Sequence, residues 1–255
     1  HHQPRRQRQM CIRDSQYLNH KNNITLAHRG GSLETHENTL EGFSYAVKIG
    51  CEYIETDVQA SKDGIPYIFH DDDLKRVAGI DKKFNDLNSY EIDKIRIFDD
   101  CKIPRLIDCL DAFSDIKFNI DLKTDEVMIP ALKILSEQKT YDRVCIASFS
   151  DRRLVYTRQH YPKFCTSMGP SEIFKIKLMS IGLDVFNIEG DCVQVPIYKY
   201  GVKLVTKHFI KFIHERGLKI HVWTINDSNV MDNLIELGVD GIITDKPSVL
   251  NNLSS

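Results

Sequence analysis

Polar residues of catalytic type fall where the apolar runs of this sequence end. The run from Ile24 stops at His28-Arg29, and the next carries Glu55 and Asp57. Phe69 precedes His70-Asp71, and Phe118–Leu122 contains Asp121 and is followed by Lys123. Later ends offer Ser148, Gln194, Trp223 with Asn226, and Asp245. Three carboxylates in one place raise each other's pKa unless a cation lies between them. Glu55, Asp57 and Asp121 are therefore candidate ligands, and oxygen ligands suit Mg²⁺ or Ca²⁺ better than Zn²⁺. Imidazole titrates near working pH, so His28 and His70 are candidate general acid and base. Arg29 and Lys123 supply positive charge, and the arginine fork matches phosphate oxygens. Together these groups suit metal-assisted cleavage of a phosphodiester. Trp223, the single tryptophan, would form an apolar wall for the alcohol part of a substrate. Each residue also has a plainer alternative: solvated acids, a core or surface histidine, a surface ion pair, a packed indole.

Such residues act together only if the chain gathers the strand ends. Apolar runs of four to six residues alternate with helical patterns from Asn23 onward. Strands are expected at Ile24–His28, Tyr53–Asp57, Phe118–Leu122, Val144–Ser148 and Phe164–Met168. Further strands are expected at Val185–Glu189 or Val193–Val195, at Ile220–Thr224 and at Gly241–Thr244. Asn38 or Thr39 can cap a helix carrying Leu40, Phe43 and Val47, which Gly50 stops. The final helix places Val230, Leu234 and Leu237 at helical spacing before Gly238. Repeated strand–helix alternation implies a parallel sheet covered by helices. About eight such units fit a (β/α)8 TIM-type barrel, whose carboxyl-end loops carry the active site. A doubly wound sheet would announce a glycine-rich phosphate loop after its first strand, and His28-Arg29-Gly30-Gly31 is not one. Asp57 to Tyr67 leaves no room for a crossover helix. Asp63-Gly64 instead predicts a two-residue hairpin turn, with Asp57 opposite His70 and a β-hairpin insertion at the barrel mouth.

Composition narrows the classes. The chain has 255 residues, a formal net charge of −2 and 42% hydrophobic residues. That length supports one large core, and the balance of charge argues against a nucleic-acid partner. No run of about 18 apolar residues is present to form a transmembrane segment. Residues 1–15 are set aside, because Gln9–Ser15 (QMCIRDS) resembles a translated sequencing adapter. A single barrel domain is expected over 16–255. Its six cysteines show no CxxC pair and no Cys/His metal spacing, so they read as reduced, mostly buried thiols of a cytoplasmic protein.

The motifs, taken in order, resemble the glycerophosphodiester phosphodiesterases. They are Ala27-His28-Arg29-Gly30-Gly31, Glu37-Asn38-Thr39, Glu55-Thr56-Asp57, Lys62-Asp63-Gly64 and Phe69-His70-Asp71-Asp72. Ile120-Asp121-Leu122-Lys123, His221-Val222-Trp223-Thr224-Ile225-Asn226 and Val239-Asp240-Gly241-Ile242-Ile243-Thr244-Asp245 complete the series. The resemblance implies a barrel that hydrolyses a small glycerophosphodiester to an alcohol and sn-glycerol 3-phosphate. It implies His28 and His70 as catalytic residues, a divalent ion on Glu55, Asp57 and Asp121, and phosphate contacts from Arg29 and Lys123. It also implies attack by the substrate's own neighbouring hydroxyl, giving a cyclic phosphate that water opens.

The chain departs from the pattern in three places. His36 stands where many relatives have Pro, Asp121 where many have Glu, and Arg76-Val77-Ala78 where Thr-Thr is frequent. The nearest alternative is a lysophospholipase D-type activity, which needs an apolar mouth; Phe209, Ile210 and Ile213 either contribute to it or pack an outer helix. A catalytically dead barrel is disfavoured by the intact acids and histidines, and a sugar-processing barrel would not need the cation pair. Substrate choice is expected to lie in the loops Lys75–Lys102 and Gly169–Asp184.

Overall fold

The structure is a computed structural model that describes residues 15–20, 23–98, 100–183 and 185–253. The adapter-like stretch lies outside the described residues except for Ser15. Nine strands form the main sheet: β1 (Ile24–His28), β2 (Tyr53–Ala60), β3 (Pro66–Ile68), β4 (Lys117–Leu122), β5 (Val144–Ala147), β6 (Cys165–Thr166), β7 (Cys192–Val195), β8 (Lys219–Val222) and β9 (Gly241–Thr244). Eight of them are parallel, in the order β6-β5-β4-β2-β1-β9-β8-β7. A parallel bridge between Ser167 and Cys192 joins the two ends of that order into a barrel. Helices cover the outside, as expected for parallel strands linked by crossovers.

Local chemistry starts those helices. Thr39 Oγ1 accepts from the Gly42 amide ahead of the helix Leu40–Lys48. Thr124, Thr206 and Asp227 do the same for the helices Asp125–Glu137, Lys207–Glu215 and Ser228–Leu237. Each cap satisfies an amide that the first turn leaves unpaired and contributes about 1 kcal/mol. The inward faces bury Phe43, Leu132, Phe209 and Leu234 against the barrel, each contributing roughly 1.5–3 kcal/mol through apolar burial. Phe209, Ile210 and Ile213 are thus outer-helix packing residues, not part of the mouth. A last helix, Pro247–Leu253, follows β9, so the helix expected to be final, with Val230, Leu234 and Leu237, is followed by one more. Of the two alternatives for the seventh strand, Cys192–Val195 forms, while Val185 is solvent-exposed.

β2 runs three residues past its expected end because β3 pairs with it antiparallel beyond the mouth. The hairpin register differs from the expectation by one residue: Val58 pairs Ile68, and the Phe69 amide donates to the Asp57 carbonyl (3.0 Å). The reason lies in the turn. The Ser61 amide bonds the Ile65 carbonyl (2.9 Å), so the loop is Lys62–Gly64, three residues long, with Gly64 in the left-handed region at φ +81°. A one-residue shift reverses which side chain faces the barrel. Phe69 accordingly comes onto the hairpin face that carries Asp57 and Gln59 and joins Tyr67 in a satellite core, stacked on Phe84 at 4.4 Å. His70 reaches the mouth because the strand ends at Ile68. Gln59 Nε2 then donates to the carbonyls of His70 (2.9 Å) and Asp71 (2.5 Å).

Gly64 faces open space, so only its backbone angle constrains it. Gly64→Ala is expected to lower stability by about 1–2 kcal/mol and Gly64→Asn by distinctly less, because asparagine tolerates that conformation. Urea denaturation of the three proteins measures the difference; equal stability would remove the three-residue turn as the determinant of register.

Candidate active site

Register places the acids before any side-chain packing is considered. Asp57 lies beside Asp121 across β2 and β4, and Glu55 lies beside His28 across β2 and β1. All three carboxylates are buried. Burial, reinforced by the charge of Asp57, pushes the Glu55 carboxyl up to about 8. Burial likewise pushes Asp121 up to about 6, against the pull of Lys123. Asp121 Oδ1 is buried and has no hydrogen-bond partner. Two bases approach the cluster: Lys123 Nζ is 3.4 Å from both Asp57 and Asp121, and Arg29 Nε is 3.4 Å from Asp57.

The turn after β1 aims Arg29. Its backbone is left-handed (φ 52°), and Gly30 follows at φ +87°. A Cβ on Gly30 would sit 2.8 Å from Phe43 Cδ1, so the turn and the first helix can be this close only with glycine there. Asn38, also left-handed, donates to Asp57 Oδ2 (3.2 Å) and accepts from Thr56 Oγ1 (2.8 Å).

Both histidines are held through Nδ1 by a carboxylate. His28 bonds Asp245 Oδ1 at 2.5 Å, and its Nε2 lies 3.7 Å from Glu55. Ser32 Oγ and Asn226 Nδ2 complete Asp245. His70 bonds Asp71 Oδ1 at 2.7 Å. Asp71 is gripped by Arg76, whose guanidinium also clasps Glu37, and Glu37 in turn accepts from Arg29 (3.1 Å). An unbroken polar chain thus runs from His70 to Arg29. Asp71, Asn226 and Asp245 stood among the strand-end polar residues, and Glu37 in a motif, but none had an assigned role. Arg76 stood only as a departure. The link between Glu37 and Arg76 has no local sequence signal, because the two are 39 residues apart.

His28, Arg29, Glu55, Asp57, His70, Asp121, Lys123 and Trp223 all line one cleft of about 280 Å³. That is the lower end for small-ligand sites. Trp223 packs edge-on against Phe149, with centroids 5.7 Å apart, and so forms part of the wall. Pro170 and Ile173 line the cleft, although they belong to a helix, Pro170–Met179, where a loop was expected, whereas no described residue of 75–102 lines it. That insertion instead builds the satellite core that supports His70 and supplies Arg76.

Fold and cleft together define a barrel hydrolase built to hold a small anionic ester against clustered carboxylates. A family model described as the glycerophosphoryl diester phosphodiesterase family matches residues 28–249. The "Probable glycerophosphodiester phosphodiesterase 2" of Mycobacterium tuberculosis is 31% identical, covering 93% of each chain. A lysophospholipase D of Homo sapiens is 26% identical over 89% of this chain and 84% of its own. Among solved structures, a glycerophosphodiester phosphodiesterase of Thermotoga maritima superposes with TM-score 0.74 at 27% identity, covering 92% and 99% of the two chains. A phosphodiesterase of Oleispira antarctica, in complex with the product sn-glycerol-3-phosphate, superposes with TM-score 0.77 at 22% identity, covering 91% and 96%. The chain belongs to the glycerophosphoryl diester phosphodiesterase family and is a phosphoric diester hydrolase.

The Asp245 carboxyl is held at about 2: burial alone would raise it, but bonds to His28, Ser32 and Asn226 outweigh burial. Its folded pKa lies below the unfolded value of about 3.9. Its contribution to stability is therefore present above about pH 4 and lost as pH falls toward about 2. The stability gap between wild type and Asp245→Asn should shrink across that window, as followed by urea unfolding at stepped pH. A constant gap would show that the carboxylate charge does not carry the interaction.

Proposed function

We propose that this cleft hydrolyses glycerophosphodiesters to an alcohol and sn-glycerol 3-phosphate, with Mg²⁺ or Ca²⁺ held by Glu55, Asp57 and Asp121. The observation that carries the reading is Asp121, whose buried Oδ1 lacks a partner beside two further buried carboxylates. Burying such a group alone is costly, and a hard cation with oxygen ligands fits the donor set. When bound, the ion neutralises negative charge on the phosphate and on the acids around it. Arg29 and Lys123, both resting against Asp57, would grip phosphate oxygens at the cluster's edge.

With Nδ1 of each histidine engaged by a carboxylate, Nε2 is the atom left to handle protons. One imidazole takes the proton of the substrate's neighbouring hydroxyl as that oxygen attacks phosphorus, and the other protonates the departing alcohol oxygen. Water then opens the cyclic phosphate with the two roles exchanged. Asp245 and Asp71 fix the ring orientations; burial opposes protonation of His28, but Glu55 and Asp245 outweigh it. Trp223 would face the alcohol or glycerol part.

A second substrate class is favoured by one observation. Met168, Ile173 and Leu204 line the same cleft beside Trp223, and Phe149 is exposed at 62%. That apolar side suits the acyl chain of a lysophospholipid.

Glycerol 3-phosphate release from glycerophosphocholine should vanish with EDTA and return with Mg²⁺ or Ca²⁺. His28→Ala and His70→Ala should each lower turnover by at least about a hundredfold with the fold intact; near-wild-type turnover in either would end the acid–base assignment. Trp223→Ala should raise KM more than it lowers kcat. If lysophosphatidylcholine is turned over and glycerophosphocholine is not, the acyl-chain reading replaces the first.

A further inference from the structure

A second cluster of ligand-type side chains lies inside the barrel, below the cleft. Cys145, Cys165 and Cys192 are each 0% exposed, and their sulfurs all lie within 4.8 Å of one another. Cys145 and Cys192 are 3.9 Å apart, sulfur to sulfur. Thiolates bound to one zinc at about 2.3 Å in tetrahedral geometry are separated by about 3.8 Å, so the trio is spaced close to what one ion requires. Strand periodicity places Cys192 one inward-facing position below Gln194 and Cys145 beside Asn119. The side chains of Asn119 and Gln194 bond each other (3.0 Å) and form the floor of the cleft, so the trio is separate from the carboxylate cluster above.

An independent observation concerns Tyr17. The 3-10 turn Gln16–Leu18 plugs the amino-terminal end of the barrel, and Tyr17 packs in the same buried cluster as the three cysteines. Its hydroxyl is fully buried and has no hydrogen-bond partner. Burial and, after it, the sulfurs of Cys145, Cys192 and Cys165 oppose its ionisation, consistent with their packing in one cluster. A buried hydroxyl packed in one cluster with three sulfurs, with no bond of its own, marks a place for a shared partner.

We propose that Cys145, Cys165 and Cys192 form a structural Zn²⁺ site, with the Tyr17 hydroxyl at the open fourth position. On binding, the three thiols release three protons to solvent and three Zn–S bonds form. The resulting centre carries one net negative charge. Thiolates select a soft ion, so this site and the oxygen-lined cleft favour different metals. The ion enters before the barrel closes, as for other metal sites coupled to folding, and ties the Gln16–Leu18 turn to the barrel.

The test uses the full chain carrying Glu55→Gln, Asp57→Asn and Asp121→Asn, so that the upper cluster cannot hold zinc. It is expressed in zinc-supplemented medium, purified past a chelating column, and its zinc is counted by mass spectrometry. About one zinc per chain is expected, falling to background when Cys145→Ser and Cys192→Ser are added. Should that variant fail to fold, Tyr17→Phe, which removes one oxygen, is expected to fold and to lose zinc to chelator at least tenfold faster. A further arm replaces zinc with Co²⁺ and reads thiolate-to-metal charge-transfer absorbance, expected only with the cysteines intact. Zinc at background in the folded parent protein, or zinc retained equally without Cys145 and Cys192, would overturn the proposal.

Discussion

Three carboxylates from two adjacent strands are buried in the wall of one cleft, and the site is organised around the cost of holding them there. Water cannot screen Glu55, Asp57 and Asp121, so their mutual repulsion acts at low dielectric. The response is visible in the surroundings. Lys123 bridges Asp57 and Asp121, Arg29 leans on Asp57, Asn38 donates to it, and His28 stands beside Glu55. Even so, the Glu55 and Asp121 carboxyls are raised by burial. A pocket that concentrates uncompensated negative charge is prepared for cations, and a pocket whose own cations already point at that place is prepared for an anion beside them.

The two histidines reach this cluster by different routes. His28 ends a barrel strand, and its carboxylate partner Asp245 ends the neighbouring one, so the first pair is built by the sheet itself. His70 comes from a hairpin that leaves the barrel and is returned by Gln59, by a satellite core and by Arg76. The three-residue turn puts Phe69, with Tyr67, on the Asp57 side of the hairpin, where they build the satellite core with Phe84. The same register would have carried His70 off the cleft had the strand continued past Ile68. The insertion therefore positions a residue at the cleft, although none of its described residues from 75 onward lines it.

The alternation of apolar runs made the barrel legible, because each parallel strand is buried on both faces and each crossover helix on one. Strand ends were legible for the same reason: polar residues that interrupt such runs fall at the mouth, and the eight that were assigned a role line the cleft, whereas Asp71 and Asp245 bond the two histidines and Asn226 bonds Asp245. Less legible were features decided by one turn or one long contact. Asp63-Gly64 signalled a turn but not its length, so the hairpin register was off by one. Val185–Glu189 and Val193–Val195 looked alike as apolar runs, and only burial separated them. Cys145, Cys165 and Cys192 have no motif spacing, yet they converge because they occupy inward positions on three successive strands.

The sequence by itself determined the parallel barrel, the carboxyl-end location of the chemistry and the residue types able to do it. These depend on short-range periodicity and on side-chain chemistry, both written locally in the chain. The tertiary structure decided which carboxylate orients which histidine, that Glu37 and Arg76 link His70 to Arg29, and that the Tyr17 turn closes the barrel over three sulfurs. Those are contacts between residues tens to hundreds of positions apart, and their energies exist only once the barrel has brought the partners together and excluded water from between them.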